Sequence, residues 1–188
     1  MKKLLDEMKV DTIDDEKRIS LLELLEEFLE NIDNARDFQN LGGYQFVVDL
    51  MNSTTNELVV QQCLSLLGTS SQNQPKVQQI LLDCNIIPQI MDFVEKSSNL
   101  RLKTKGIRCL TCLISNFEPS CKVFLFHNGL AMLKSILFDD SITDIPLLQK
   151  SLILLKDLSY QEIMFMVRID FIFFKNRENS CQKNLLID

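Results

Sequence analysis

With 188 residues, 46% of them hydrophobic and 24% charged, the chain has the balance of one folded domain with a sizeable core, which excludes a wholly disordered protein. A formal net charge of −6 with no Lys/Arg-rich block excludes nucleic acid and an anionic membrane surface as main partners, since both require a basic stripe. Five glycines, four prolines and no tryptophan beside many leucines favour long helices and short turns over a turn-rich β-sandwich.

The chain starts Met1-Lys2-Lys3-Leu4-Leu5-Asp6-Glu7, with acids where a secretory leader needs its apolar run, so no signal peptide is expected. Residues 17–32 then give an amphipathic helix. Ile19, Leu22, Leu25, Leu29 and Ile32 recur at three- and four-residue spacing, and Glu23, Glu26, Glu27 and Glu30 between them are expected to form a solvated face. Residues 1–30 are read as an N-terminal helical cap.

From there the pattern repeats on a larger scale. Each unit has a short helix, a small polar or glycine turn, an apolar helix, a polar loop and a longer apolar helix. The turns fall at Gly43, Asn85 and Gly129, spaced 42 and 44 residues apart. In the longer helices Leu64, Leu67 and Ser71 align with Ile107, Leu110 and Ile114, and then with Leu152, Leu155 and Ser159, as expected core positions. Polar loops separate the helices, and Pro75, Pro119 and Pro146 sit near helix starts, where a missing N–H is harmless. A period of roughly 40–47 residues built from two or three helices is the armadillo/HEAT signature. One such unit cannot bury its own apolar face, so units stack and share a core. The expected fold is an all-α, armadillo-like, right-handed helical-repeat solenoid with units 31–73, 74–116 and 117–161; an irregular bundle is the alternative.

The residues offer no catalytic constellation. The only histidine, His127, stands beside Asn128-Gly129 and reads as a helix cap, since a catalytic base needs an orienting partner and usually a nucleophile. The six cysteines, Cys63, Cys84, Cys109, Cys112, Cys121 and Cys181, read as small core residues of a reducing compartment. Cys109 and Cys112 lie one helical turn apart without the second pair that zinc needs. Gly42-Gly43 lacks the Gly-Lys-Ser/Thr of a phosphate loop. No enzyme activity, metal or cofactor is expected. No uncharged apolar run reaches membrane-spanning length, so a cytoplasmic, monomeric protein is the default.

Several stretches resemble a particular armadillo family: the Fes/heat-shock-binding-protein type of nucleotide exchange factor for the seventy-kilodalton heat-shock chaperone. Glu30-Asn31-Ile32-Asp33-Asn34-Ala35-Arg36-Asp37-Phe38, followed by Leu41-Gly42-Gly43, is similar to its hallmark before the first full repeat. Gly68-Thr69-Ser70-Ser71-Gln72-Asn73 resembles the end of that repeat's long helix, and Pro75, Val77 and Gln78 continue the match. Lys105 to Asn116, Phe124 and Asn128-Gly129 resemble the next helix and turn. The resemblance covers about residues 1–160.

The resemblance implies a co-chaperone whose concave face wraps one lobe of the chaperone's ATPase domain, displaces the other lobe and releases ADP. The positions flanking the buried ones on each long helix would supply that face: Gln62, Ser65, Thr69 and Asn73, then Lys105, Arg108 and Cys112, then Lys150 and Asp157. Lys105 matches a basic position of the family; Gln62 departs from one. A generic armadillo scaffold holding an extended peptide is the alternative function, and a lumenal relative of the family a smaller one. After Tyr160-Gln161 the pattern breaks, and residues 162–188 are expected to be a divergent tail whose apolar stretch, Ile163 to Phe174, has no counterpart in the family.

Overall fold

The computed structural model describes residues 1–10 and 13–160; the expected tail and Cys181 lie outside that range. Among the described residues the secondary structure is helical: α1 (Lys2–Met8), α2 (Asp15–Leu29), α3 (Ile32–Asn40), α4 (Gly43–Ser53), α5 (Glu57–Ser71), α6 (Pro75–Asp83), α7 (Ile86–Lys96), α8 (Leu100–Ile114), α9 (Glu118–Phe126), α10 (Gly129–Leu137) and α11 (Ile145–Tyr160). From α3 onward these follow in threes: two short helices, then a long one.

The period is more regular than the sequence reading had it. The helices of the first three-helix unit start at residues 32, 43 and 57, and those of the second at 75, 86 and 100, each 43 later. The left-handed residue at each tight turn is Gly42 (φ 69°), Asn85 (53°) or Asn128 (61°), again 43 apart. The glycines at 43 and 129 are therefore not the turn residues; they begin the next helix. Glycine and asparagine populate this region at small cost, which explains why the turn carries either. A second left-handed pair, Asn73 (φ 56°) and Asn116 (55°), keeps the same spacing where α5 and α8 hand over to the next short helix. The third long helix starts at 145, two residues late, because the loop after α10 is longer.

The glycines at 43 and 129 have a packing reason instead. A Cβ on Gly43 would run into the Phe38 ring, and one on Gly129 into the Phe124 ring. In the middle unit the same two places hold Leu81 and Ile86, both fully buried. The short-helix junction thus holds a constant volume, as a large aromatic with glycine or as two aliphatics, which close packing requires. Phe38 also meets Tyr44 edge to face, with ring centroids 5.0 Å apart.

The long helices stand in one row, α2 against α5, α5 against α8 and α8 against α11, while the short helices form a second layer behind them. Their mutual packing builds one continuous core running from Leu5 to Leu158. α2 is more than a terminal cap. It has the 15-residue length of α5 and α8 and stacks as their predecessor. Its N-cap Asp14 accepts from the Lys17 N–H at 2.7 Å, the place held by Asn56 on α5 and Asn99 on α8. These caps also tie neighbours together: Asn56 Nδ2 donates to Asp15 at 2.8 Å, and Asn99 Nδ2 to Glu57 at 2.7 Å.

The last long helix departs from expectation. Its buried residues are Leu147, Ser151, Leu154 and Leu158. Leu152, aligned with the core residues Leu64 and Ile107, is 55% exposed, and Ser159 is exposed too. The 45-residue alignment step is consistent with this. Leu147, Ser151, Leu154 and Leu158 correspond to Leu102, Gly106, Cys109 and Leu113, which meet preceding helices, whereas the row of Leu152 faces where a following long helix would stand.

A polar seam along the long helices

A row of half-buried polar side chains runs across the long helices. Its hub is Glu26 of α2. One carboxylate oxygen, Oε2, accepts from Gln62 Nε2 at 2.7 Å. The other, Oε1, accepts from two hydroxyls of α5, Ser65 at 3.1 Å and Thr69 at 2.7 Å. The same hydroxyl oxygens then accept from the next helix: Lys105 Nζ donates to Ser65 at 3.0 Å and Arg108 Nη2 to Thr69 at 3.4 Å. Farther along, Ser115 after α8 donates to Asp157 of α11 at 2.7 Å. Helix spacing explains the assembly. Residues 62, 65 and 69 share one face of α5, as 105 and 108 share one face of α8, and the 43-residue stacking brings the two rows together.

Most of the residues singled out from the sequence meet in this seam. Gln62, Ser65, Thr69, Lys105 and Arg108 form the network around Glu26. Lys150 and Asp157 of α11 lie farther along, where their charges are felt at Cys112 together with that of Arg108. Two residues stand apart. Asn73 is beyond the end of α5, exposed in a left-handed turn, and its backbone conformation accounts for it. Cys112, read both as a small core residue and as part of the contact face, is only 8% exposed, in keeping with the first reading.

The buried thiols are neutral at ordinary pH. Burial pushes Cys63 up to about 12, and it pushes Cys112 up as well, with Arg108 and Lys150 pulling partly back. Cys109 stands well above the ordinary thiol range, through burial and the neighbouring Cys112. A thiol held protonated is a poor nucleophile and a poor metal ligand. Among the described residues no three His, Cys, Asp or Glu side chains gather in a metal-binding group, and no helix is long and apolar enough to cross a membrane. His127 caps the end of α9, its ring exposed and edge-on to Phe126. A surface hollow of about 290 Å³ beside α1 and α4, lined by residues including Lys9 and Phe46, lies away from the seam. The seam is thus a row of side chains spread along a face of the helices.

Sequence reasoning missed Glu26. It was grouped with Glu23, Glu27 and Glu30 as a solvated face, yet it is only partly exposed and accepts three hydrogen bonds. Its place between Leu22 and Leu29, four residues from one and three from the other, was the available signal: it borders the buried stripe.

Compared with known families, residues 34–172 match the SIL1/FES1/HPBP1 C-terminal domain, so the match runs past residue 160, where the repeat pattern fades in the sequence. The chain is 29% identical over 126 residues to "Nucleotide exchange factor SIL1" of Mus musculus, covering 67% of this chain and 27% of that protein. It is 28% identical over 120 residues to "Hsp70-binding protein 1" of Rattus norvegicus, covering 64% and 34%. To "Hsp70 nucleotide exchange factor FES1" of Saccharomyces cerevisiae it is 28% identical over 131 residues, covering 69% and 45%. The chain thus spans between about a quarter and under half the length of these curated relatives. Among solved structures, an engineered protein superimposes with a TM-score of 0.74 at 16% identity, covering 84% of this chain and 61% of that one. A designed armadillo repeat protein does so with a TM-score of 0.71 at 11% identity, covering 83% and 63%. At these identities the likeness carries the fold alone: an all-α stack of armadillo-type repeats.

Proposed function

The chain belongs to the SIL1/FES1/HPBP1 C-terminal domain family, and from this we propose that it is a non-enzymatic nucleotide exchange factor for a 70-kDa heat-shock chaperone. The family match over residues 34–172, with relatives named as Hsp70 nucleotide exchange factors, carries the reading. The proposed contact surface is the concave side of the row of long helices, centred on Lys105 and Arg108. Neither cation is ion-paired among the described residues, so both are available to carboxylates of a partner.

The mechanism follows from linkage. A rigid stack of helices that binds the open conformer of the ATPase domain better than the ADP-closed one shifts the population towards the open form. ADP then leaves faster, and reciprocity requires ADP to weaken the factor's own binding by the same factor. The protein needs no nucleophile, metal or cofactor for this. A monomer in the cytoplasm is the proposed form.

The test is release of fluorescent ADP from the chaperone in a stopped-flow instrument. The expected outcome is faster release with this protein present. No acceleration, together with no capture of the chaperone in a pulldown, overturns the reading. Lys105→Glu with Arg108→Glu should weaken binding at least about tenfold while helicity is kept; unchanged binding would move the contact surface elsewhere. A peptide-binding scaffold is the second reading, since one designed armadillo repeat protein of this fold is known in complex with the peptide (KR)4. Here Asn73 and Asn116 sit in left-handed turns beyond the long helices rather than in a ladder along them. Binding to an extended peptide library without any effect on ADP release would favour that second reading.

A further inference from the structure

We infer that Glu26 is the positioning residue of the contact surface: through Ser65 and Thr69 it fixes where Lys105 and Arg108 point, and so presents two cations to an acidic patch on the partner. This inference rests on the proposed exchange-factor reading and adds a residue to it.

The direction of the hydrogen bonds carries the inference. Ammonium and guanidinium groups can only donate, and an ionised carboxylate can only accept. A hydroxyl between them must therefore take a proton contact from the cation and give its own proton to Glu26. Both relays on this face read that way, Lys105 to Ser65 to Glu26 and Arg108 to Thr69 to Glu26. Without an acceptor at Glu26, each hydroxyl hydrogen is free to rotate towards the cation, and neither oxygen is held as an acceptor. Ser65 is 5% exposed, so water is a poor substitute for the carboxylate there. Lysine and arginine carry the largest side-chain entropy, and ordering them before binding removes a cost the complex would otherwise bear.

The geometry also separates position from charge. Both hydroxyls donate to the same oxygen, Oε1, while Oε2 takes only the Gln62 amide. Glu26→Gln can keep Oε1 for both hydroxyls and turn its own amide towards Gln62, whose amide flips to offer oxygen. That variant loses the charge and keeps the positioning. Glu26→Ala loses both.

The experiment measures affinity for the intact chaperone by titration calorimetry, using the 188-residue chain and its variants, whose helicity is checked by circular dichroism. Glu26→Ala should bind about tenfold more weakly, and Glu26→Gln should recover to within about threefold of the parent. Ser65→Ala with Thr69→Val cuts the relays at their centre and should reproduce the Glu26→Ala loss, which covers the case of a poorly folded Glu26→Ala chain. Adding Glu26→Ala to Lys105→Ala/Arg108→Ala should cost no more than about twofold further, because there is nothing left to position. Equal losses in Glu26→Gln and Glu26→Ala, tighter binding in either, or a full tenfold further loss in the triple variant would overturn the role of Glu26. If Lys105→Ala/Arg108→Ala itself leaves affinity unchanged, the contact-surface reading falls along with it; if that pair weakens binding while Glu26→Ala does not, only the inference about Glu26 falls.

Discussion

α5 and α8 are sandwiched, each between two long helices, and both of their apolar rows are buried: Val59, Cys63, Leu66 and Ser70 beside Val60, Leu64, Leu67 and Ser71 on α5, for example. α11 has the same repeat position and a similar apolar sequence, but α8 covers only one of its rows. Its second row, with Leu152 55% exposed and Leu155 half-buried, meets no further long helix among the described residues. The difference teaches that a repeat's sequence supplies two sticky faces and its neighbours decide which are buried. The tie between caps shows the same dependence. Asn56 and Asn99 reach back to Asp15 and Glu57, but the cap of α11 is Asp144, which cannot donate, and the α8 residue in the matching place is Leu100.

The sharpest way to break this comparison is to truncate equivalent leucines. Leu64→Ala in α5, where the side chain is fully buried, should cost about 2–5 kcal/mol in urea denaturation. Leu152→Ala in α11 should cost under about 1 kcal/mol, as at other exposed positions. A cost at Leu152 equal to that at Leu64 would mean that this face is covered in solution.

The next effect tests whether the units are interchangeable at the short-helix junction. Gly43→Ile alone overpacks against the Phe38 ring and should cost about 1–3 kcal/mol or more. Phe38→Leu alone leaves a void. Combining them installs the Leu81/Ile86 pair of the middle unit, and the double variant should be more stable than the sum of the two losses predicts, which a double-mutant cycle reads directly. Additive losses would refute volume exchange between repeats.

The smallest effect concerns the turns. Asn128→Ala removes the short polar side chain that lets asparagine adopt φ 61° and should cost about 1 kcal/mol, whereas Asn128→Gly should be close to neutral, as Gly42 is in the first unit. Thermal melts of both variants compare the turn of the last unit with that of the first.

Much of the architecture was legible in the chain. The prolines at 75, 119 and 146 stand in the first turns of α6, α9 and α11, and the apolar spacing located the long helices. The turn residues were misplaced by one at Gly42 and Asn128, because Gly-Gly and Asn-Gly each offer two candidates and only the backbone angle separates them. Glu26 was misjudged because, at the edge of a helix's apolar stripe, burial depends on what the adjacent helix places opposite.

The sequence by itself therefore determined the helices, their caps and the 43-residue rhythm, since these follow from local preferences and from spacing along one chain. Tertiary structure alone decided which edge residues meet: that α2 stands as a long helix of the row, that Glu26 gathers Gln62, Ser65 and Thr69, and that Lys105 and Arg108 rest on the hydroxyls it holds. Those contacts join residues about 40 positions apart, and their geometry is set by how one repeat rotates onto the next, a quantity that no single repeat encodes.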